Sequence, residues 1–268
     1  MTRRPDGAGS GAGRGNANPL GRLLGWVLAA IRLAAILLLL LICVPLHYLW
    51  RALGLGRFWP RLFLGSVGTV LGLRIRIFGQ PQRAALLVSN HVTWLDILAL
   101  ARTSGSAFVA HDGLAGFPVL KWLCAMNDTV FIARERPTSV AEQAEDIRRA
   151  LMEAAPLTIF PEGTTSDGTG LLPFKSALFS ACVPLPRANP LQPVLLAYQD
   201  VPEVAWIGEE AGADNFRRML MRLRPVRLDV HFLDPLSGDA LADRKAMSKA
   251  SREALLQAMA ATRGPIRR

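Results

Sequence analysis

From Leu33 to Trp50 the chain runs eighteen residues without a charged side chain. No other stretch limits the possible folds so strongly. A helix needs about 20 apolar residues to cross the hydrocarbon of a bilayer, and with Trp26 to Ile31 ahead of Arg32 the run reaches that length. It begins late, lacks a small-x-small cleavage site and is followed by bulky and basic residues, which separates it from a secretory signal peptide. Pro45 inside the run is expected to bend the helix. A second, more broken apolar segment, Leu53 to Leu73, contains Arg57, Pro60 and Arg61. Arginines stand on both flanks of the first run, so the positive-inside rule selects no orientation. Two helices that enter one leaflet and return to the same side account for that symmetry; a single span is the alternative.

Charge is distributed to match. Up to Arg61 there are eight arginines and one acid, Asp6, so this segment holds seven of the ten net positive charges. Basic residues around an apolar run suit anionic lipid headgroups, at about 1 kcal/mol for each arginine near the surface. A nucleic-acid partner fits less well, because no basic patch is interleaved with aromatic residues. The three cysteines, Cys43, Cys124 and Cys182, are scattered. They suggest neither a disulfide framework nor a zinc site, and a reducing compartment fits them.

Three regions follow: a basic tail expected to be disordered over 1–19, a membrane-associated helical segment over 20–72, and an α/β domain over 73–268. In the last, Leu73 to Phe78, Ala84 to Val88, Ser106 to Ala110, Thr129 to Ile132, Leu157 to Phe160, Leu191 to Tyr198 and Val226 to Phe232 read as strands. Helices are expected over Trp94 to Arg102, Phe117 to Met126, Thr138 to Ala154, Phe174 to Cys182, Asp214 to Leu223 and Asp243 to Thr262. Thr138 or Ser139 with Glu142 would cap the third of these. Such alternation predicts a mixed, largely parallel sheet with helices on both faces. In Asp214 to Leu223, Phe216, Met219, Leu220 and Leu223 share a face bordered by Arg217, Arg218, Arg222 and Arg224. That pattern fits either a helix resting on a membrane surface or a core helix with a solvated rim.

Two motifs sit where strands end, the place where such sheets bind ligands. Asn90-His91-Val92-Thr93-Trp94-Leu95-Asp96 follows the second strand and Phe160-Pro161-Glu162-Gly163-Thr164-Thr165-Ser166 follows the fifth. A histidine and a carboxylate at this spacing can meet across one tight turn. The carboxylate then fixes the ring tautomer and leaves the other nitrogen to accept a proton. His47, His111 and His231 have no such partner at this spacing and read as structural. There is no nucleophile elbow and no phosphate-binding glycine fingerprint. No second histidine is spaced to join His91, Asp96 and Glu162 around a metal, so none is expected. No serine or cysteine neighbours His91 as a covalent nucleophile should.

Together the two motifs resemble the glycerolipid acyltransferase family, whose best-known members are the lysophosphatidate acyltransferases. The likeness covers roughly residues 73 to 235. It implies an N-terminal helix pair embedded in the membrane, an inner-membrane location with the α/β domain facing the cytoplasm, and a role in phospholipid synthesis. It also implies an acyl thioester co-substrate, of coenzyme A or acyl carrier protein, with no other cofactor. His91 would be the base and Asp96 its orienting partner. Arg134, in Val130-Phe131-Ile132-Ala133-Arg134, would grip a headgroup phosphate, with Arg136 the substitute if the register differs. Glu162, Gly163 and Thr164 would frame the acceptor, Lys175 would supply a further basic contact, and Leu191-Gln192-Pro193-Val194 would line the acyl chain. The chain departs from the family where Ala133 replaces a commoner acid. It departs again at Thr165, where many lysophosphatidate acyltransferases carry arginine. 1-Acylglycerol-3-phosphate is the leading expected acceptor. Thr165 keeps a lyso-ornithine lipid open, and a catalytically silent membrane-binding relative is the reading from another class.

Overall fold

The computed structural model describes residues 19–111, 118–132, 145, 149, 156–183, 185 and 189–263. Arg134, Arg136 and the cap residues Thr138, Ser139 and Glu142 lie outside them. Of the expected helix over Thr138 to Ala154, only Glu145 and Arg149 are described, and both are helical.

The apolar run belongs to one helix, α1 (Pro19–Ala52), which is long and apolar enough to cross a membrane. At 34 residues it extends about 50 Å. Pro45 sits within this helix without ending it. A short turn leads to α2 (Phe58–Val70), which packs against α1 to complete the helix pair.

The α/β domain follows as β1 (Leu73–Phe78), β2 (Leu86–Ser89), α3 (Leu95–Thr103), β3 (Ala107–His111), α4 (Pro118–Met126), β4 (Val130–Ile132) and β5 (Leu157–Ile159). After a 3₁₀ helix, Ser176–Cys182, come β6 (Leu191–Tyr198), α5 (Gly212–Met221), β7 (Val226–Phe232) and α6 (Arg244–Arg263). The seven strands take the order β1-β7-β6-β2-β5-β3-β4. Among the described residues, only β6 and β7 pair antiparallel.

Burial follows position in the sheet. Central β2, covered on both sides, is buried at every residue, whereas edge strand β1 carries exposed residues along most of its length. Leu87, Val194, Leu196, Leu228 and Val230 turn to one face and join Val67 of α2, Leu95 and Leu98 of α3 and Met219 of α5. Leu86, Val88, Leu157 and Ile159 turn to the other, against Phe179 of the 3₁₀ helix and Met247 of α6, with Leu195 meeting Leu255 and Met259. The expected α-helix over Phe174 to Cys182 is therefore a tighter 3₁₀ segment. It begins only at Ser176 and drives Phe179 fully into the core. The proline-centred segment Leu191 to Val194 is likewise core strand, with Leu191 and Val194 fully buried.

Helix α1 is part of this core. Gly25 lets it approach closely, since a Cβ there would stand 3.3 Å from the Met221 carbonyl oxygen. Arg32 turns inward, and its Nη1 donates to the carbonyls of Met219, Leu220 and Arg222 at 3.2, 2.9 and 2.8 Å. A cation thus closes the C-terminal end of α5, where the helix dipole favours it. Of the two readings of α5, the packed helix holds. Met219 and Leu220 are buried, while Arg217, Arg218 and Arg222 pair with acids around the rim. The opposite face of α1 stays apolar and exposed, Leu41 by 71% and Leu38 by 58%.

Candidate active site

Because β2 is flanked by β6 and β5 and runs parallel to both, all three strands end at the same edge of the sheet. The segments after β2 and β5 therefore emerge side by side, about one strand spacing (~4.8 Å) apart, despite their distance in sequence. His91 leaves β2, Glu162 leaves β5, and Tyr198 is the last residue of β6.

Asn90 fixes the first exit. Its side-chain amide donates to the Leu196 carbonyl at 3.0 Å and its carbonyl accepts the Leu196 amide at 2.8 Å. The side chain takes the place of a backbone partner for β6, so β2 can leave the ladder without orphaning that strand.

Asp96 occupies the first turn of α3 and is fully buried. One oxygen, Oδ2, lies 2.8 Å from His91 Nδ1 and accepts the amides of Val92 and Thr93 at 2.7 and 3.1 Å. The other, Oδ1, accepts the Tyr198 phenol at 2.6 Å. Four donors around one carboxylate compensate its removal from water. Burial, reinforced by the Asp96 charge and the bond to it, pushes the Tyr198 phenol well above its ordinary range, so it remains a donor. With Nδ1–H directed at Asp96, the lone pair of His91 resides on Nε2, which has no partner among the described residues. The imidazole lies over Phe160, ring centroids 4.1 Å apart and planes 18° from parallel, and is partly open to solvent.

Glu162 is buried and joins the two motifs through the backbone. Oε1 accepts the His91 amide and Oε2 the Leu172 amide, both at 2.9 Å. Burial raises this carboxyl above its usual range, and the two amide bonds offset part of that shift. A second bridge runs the other way, with the Ser166 amide donating to the His91 carbonyl at 2.7 Å. Gly163 adopts φ +69°, and a Cβ there would stand 2.8 Å from Lys175 Nζ, so the lysine tip packs over the glycine. The Lys175 amide also donates to the Pro161 carbonyl at 2.8 Å. Thr164 is exposed beside them. The Thr165 hydroxyl donates to the Trp206 carbonyl, and the Trp206 amide donates to the Val92 carbonyl at 3.0 Å.

His91, Asp96, Glu162, Gly163, Thr164 and Lys175 are thus drawn to one end of the sheet. Arg134 lies outside the described residues. The sequence reading missed one contributor, Tyr198, and gave Asn90 a place in the motif but no contact. Tyr198 gave a faint signal, a polar-tipped aromatic closing a largely apolar strand. The amide exchange of Asn90 with Leu196 gave none, since it links residues 106 apart. The arrangement can take a proton from a hydroxyl at Nε2 while Asp96 balances the charge that forms on the ring.

Residues 75–197 match the family model described as Acyltransferase. The lyso-ornithine lipid O-acyltransferase of Rhizobium meliloti is 30% identical over 246 residues, spanning 85% of this chain and 84% of that protein. The 1-acyl-sn-glycerol-3-phosphate acyltransferase of Neisseria gonorrhoeae is 37% identical over 114 residues, 42% of this chain and 45% of that one. The crystal structure of the 1-acyl-sn-glycerophosphate (LPA) acyltransferase PlsC from Thermotoga maritima shares the fold, with a TM-score of 0.65 over 92% of this chain and all of that one, at 16% identity.

Proposed function

The chain belongs to the lysolipid acyltransferase family, and on that premise we propose that it moves a fatty acyl group from an acyl thioester to the hydroxyl of a lyso-ornithine lipid at a membrane surface. The chemistry rests on one observation, the His91–Asp96 pair with Nε2 left open. In this mechanism Nε2 removes the acceptor's hydroxyl proton as the oxygen attacks the thioester carbonyl. Asp96 stabilises the imidazolium, and collapse of the tetrahedral intermediate expels the thiolate, which recovers the proton from His91. Attack is direct in a ternary complex. The Ser166 hydroxyl is directed at the His91 backbone carbonyl rather than its ring, which supports a route without a covalent acyl-enzyme.

Thr165 supports this choice of acceptor. Its hydroxyl is committed to the Trp206 carbonyl and carries no charge for a phosphate. The sequence similarity to the Rhizobium lyso-ornithine lipid enzyme spans 85% of the chain. 1-Acylglycerol-3-phosphate is the second reading, favoured by Lys175 Nζ packed over Gly163 and by the shorter similarity to the Neisseria enzyme. The donor is a thioester of coenzyme A or acyl carrier protein, and the α/β domain faces the cytoplasm from the inner membrane. The test is incubation of purified protein with both thioesters and both lysolipids, read by mass spectrometry. Diacylated ornithine lipid is the expected product. Phosphatidate alone would transfer the assignment to the second reading, and free fatty acid alone would replace acyl transfer with hydrolysis.

A further inference from the structure

Helices α2 and α3 pack side by side and leave a cavity of about 470 Å³, lined by Phe58, Arg61, Leu62, Ser66, Thr69 and Arg102 among others. No carboxylate lines it among the described residues. Arg57, one turn before Arg61, is paired with Asp128 at 3.1 Å, whereas Arg61 has no ion-pair partner among the described residues. Each guanidinium is nonetheless seated. Arg61 occupies the space that a side chain at residue 105 would fill, which is open because that residue is Gly105 with φ +69°. Arg102 reaches across from α3 to the Thr69 hydroxyl of α2. Two cations thus share one cavity with no counter-charge lining it. Phe58 and Leu62, both exposed, form an apolar rim on the helix that pairs with α1.

We infer that this cavity binds the phosphate of an anionic membrane phospholipid between Arg61 and Arg102, with its acyl chains along Phe58 and Leu62. Guanidinium groups match phosphate oxygens in geometry and charge, and the apolar rim suits lipid tails rather than a free anion. A zwitterionic headgroup brings a cation toward two others and is disfavoured. The site is separate from the reacting centre. Asp96 begins and Arg102 nearly ends α3, roughly 9 Å apart along the helix axis.

Native mass spectrometry of the full chain in detergent, titrated with dioctanoyl phosphatidylglycerol or dioctanoyl phosphatidylcholine, tests the assignment. Wild type should retain one phosphatidylglycerol in preference to phosphatidylcholine. Arg61→Gln should weaken that binding about five-fold and Arg61→Gln with Arg102→Gln about 25-fold, from roughly a five-fold loss for each surface cation. Arg22→Gln with Arg51→Gln removes the same charge elsewhere on the helix pair and should change it less than about three-fold. Equal losses in the two double variants, or equal retention of both lipids by wild type, would overturn the site. Because Arg102 also braces α2, Arg61→Gln alone decides the matter should the double variant unfold. Turnover of a short-chain acceptor in lipid-free detergent should be unchanged in Arg61→Gln, which distinguishes loss of this site from failure of the proposed acyl transfer.

Discussion

The Tyr198 hydroxyl lies 2.6 Å from Asp96 Oδ1, on the carboxylate oxygen that His91 does not use. The carboxylate is therefore held from both sides, by the end of β6 and by the turn after β2. Its rotation would break four hydrogen bonds together. Tyr198→Phe should leave the protein folded and lower kcat about ten-fold with little change in KM, because a looser Asp96 orients the ring less well without touching substrate. A ten-fold loss corresponds to about 1.4 kcal/mol, at the upper end of what a typical intramolecular hydrogen bond contributes. Unchanged kcat would reduce Tyr198 to a packing residue.

His91→Ala should abolish acyl transfer, on the scale of 10²–10⁴-fold for a positioned base, while Tm and membrane attachment persist. Asp96→Asn should cost less. The amide oxygen can still receive His91, Val92 and Thr93, and the new NH₂ can donate to the Tyr198 oxygen once the phenol reverses. Steady-state kinetics of the two purified variants separate these effects, and near-normal turnover in His91→Ala would exclude it as the base.

Glu162 carries a pH signature of defined sign. Its carboxyl is raised in the fold by burial, so the native state holds this proton more tightly than the unfolded chain. The stabilisation from that proton is fully present below the unfolded value, near 4.5, and is lost as pH rises through the raised value. Glu162→Gln removes the titration. Its NH₂ also opposes one of the His91 and Leu172 amides, at about 1–3 kcal/mol for an unsatisfied buried donor. The difference in Tm between wild type and Glu162→Gln should therefore widen on acidification toward pH 4.5. A constant difference would show that only the hydrogen bond matters.

Gly163→Ala places a Cβ in left-handed backbone and against Lys175 Nζ. The lysine tip can swing aside, so the backbone dominates, at about 1–2 kcal/mol. Thermal denaturation should show a modest fall in Tm. A loss far beyond this would mean that the lysine is fixed in place.

For the acceptor, Thr165→Arg should shift preference toward 1-acylglycerol-3-phosphate. Arg134→Ala should leave lyso-ornithine lipid turnover almost unchanged while raising KM for the phosphate-bearing acceptor roughly ten- to a hundred-fold, from about 1.5–3 kcal/mol per charge-assisted contact. Competition between the two lysolipids in one reaction measures both. An Arg134→Ala variant impaired on each alike would assign the arginine to the donor or to folding.

Local pattern carried much of the architecture. β6 begins and ends with its largely apolar run, as a strand covered on both faces does, and β1 and β7 follow the alternation of apolar with polar residues that marks a strand with one face covered. The meeting of His91 with Asp96 was legible for a similar reason, since one turn spans it. Contacts made at long sequence separation were not. Arg32 reads as a break before the apolar run, yet it lies inside α1, because its partners are carbonyls 187 to 190 residues away. Glu162 reads as a group facing the acceptor, yet both oxygens serve backbone amides, one of them 71 residues off. The segment after Phe174 carried helical spacing that does not distinguish an α turn from the tighter 3₁₀ turn it forms.

On the proposed function, the docking of α1 onto α5 would make bilayer thickness a variable of catalysis. A free anchor relieves hydrophobic mismatch by tilting alone. Here Arg32, with Gly25 and Ala29 on the same face, holds the helix to the body of the domain. On the proposed function, any tilt of α1 would then be a tilt of the sheet edge that carries His91, and a thinner or thicker leaflet would change the height and angle at which a lipid hydroxyl meets Nε2. Truncation before β1 would not release an intact domain either, because Ala29, Val67 and Leu71 belong to the core that covers Leu98 and Met219.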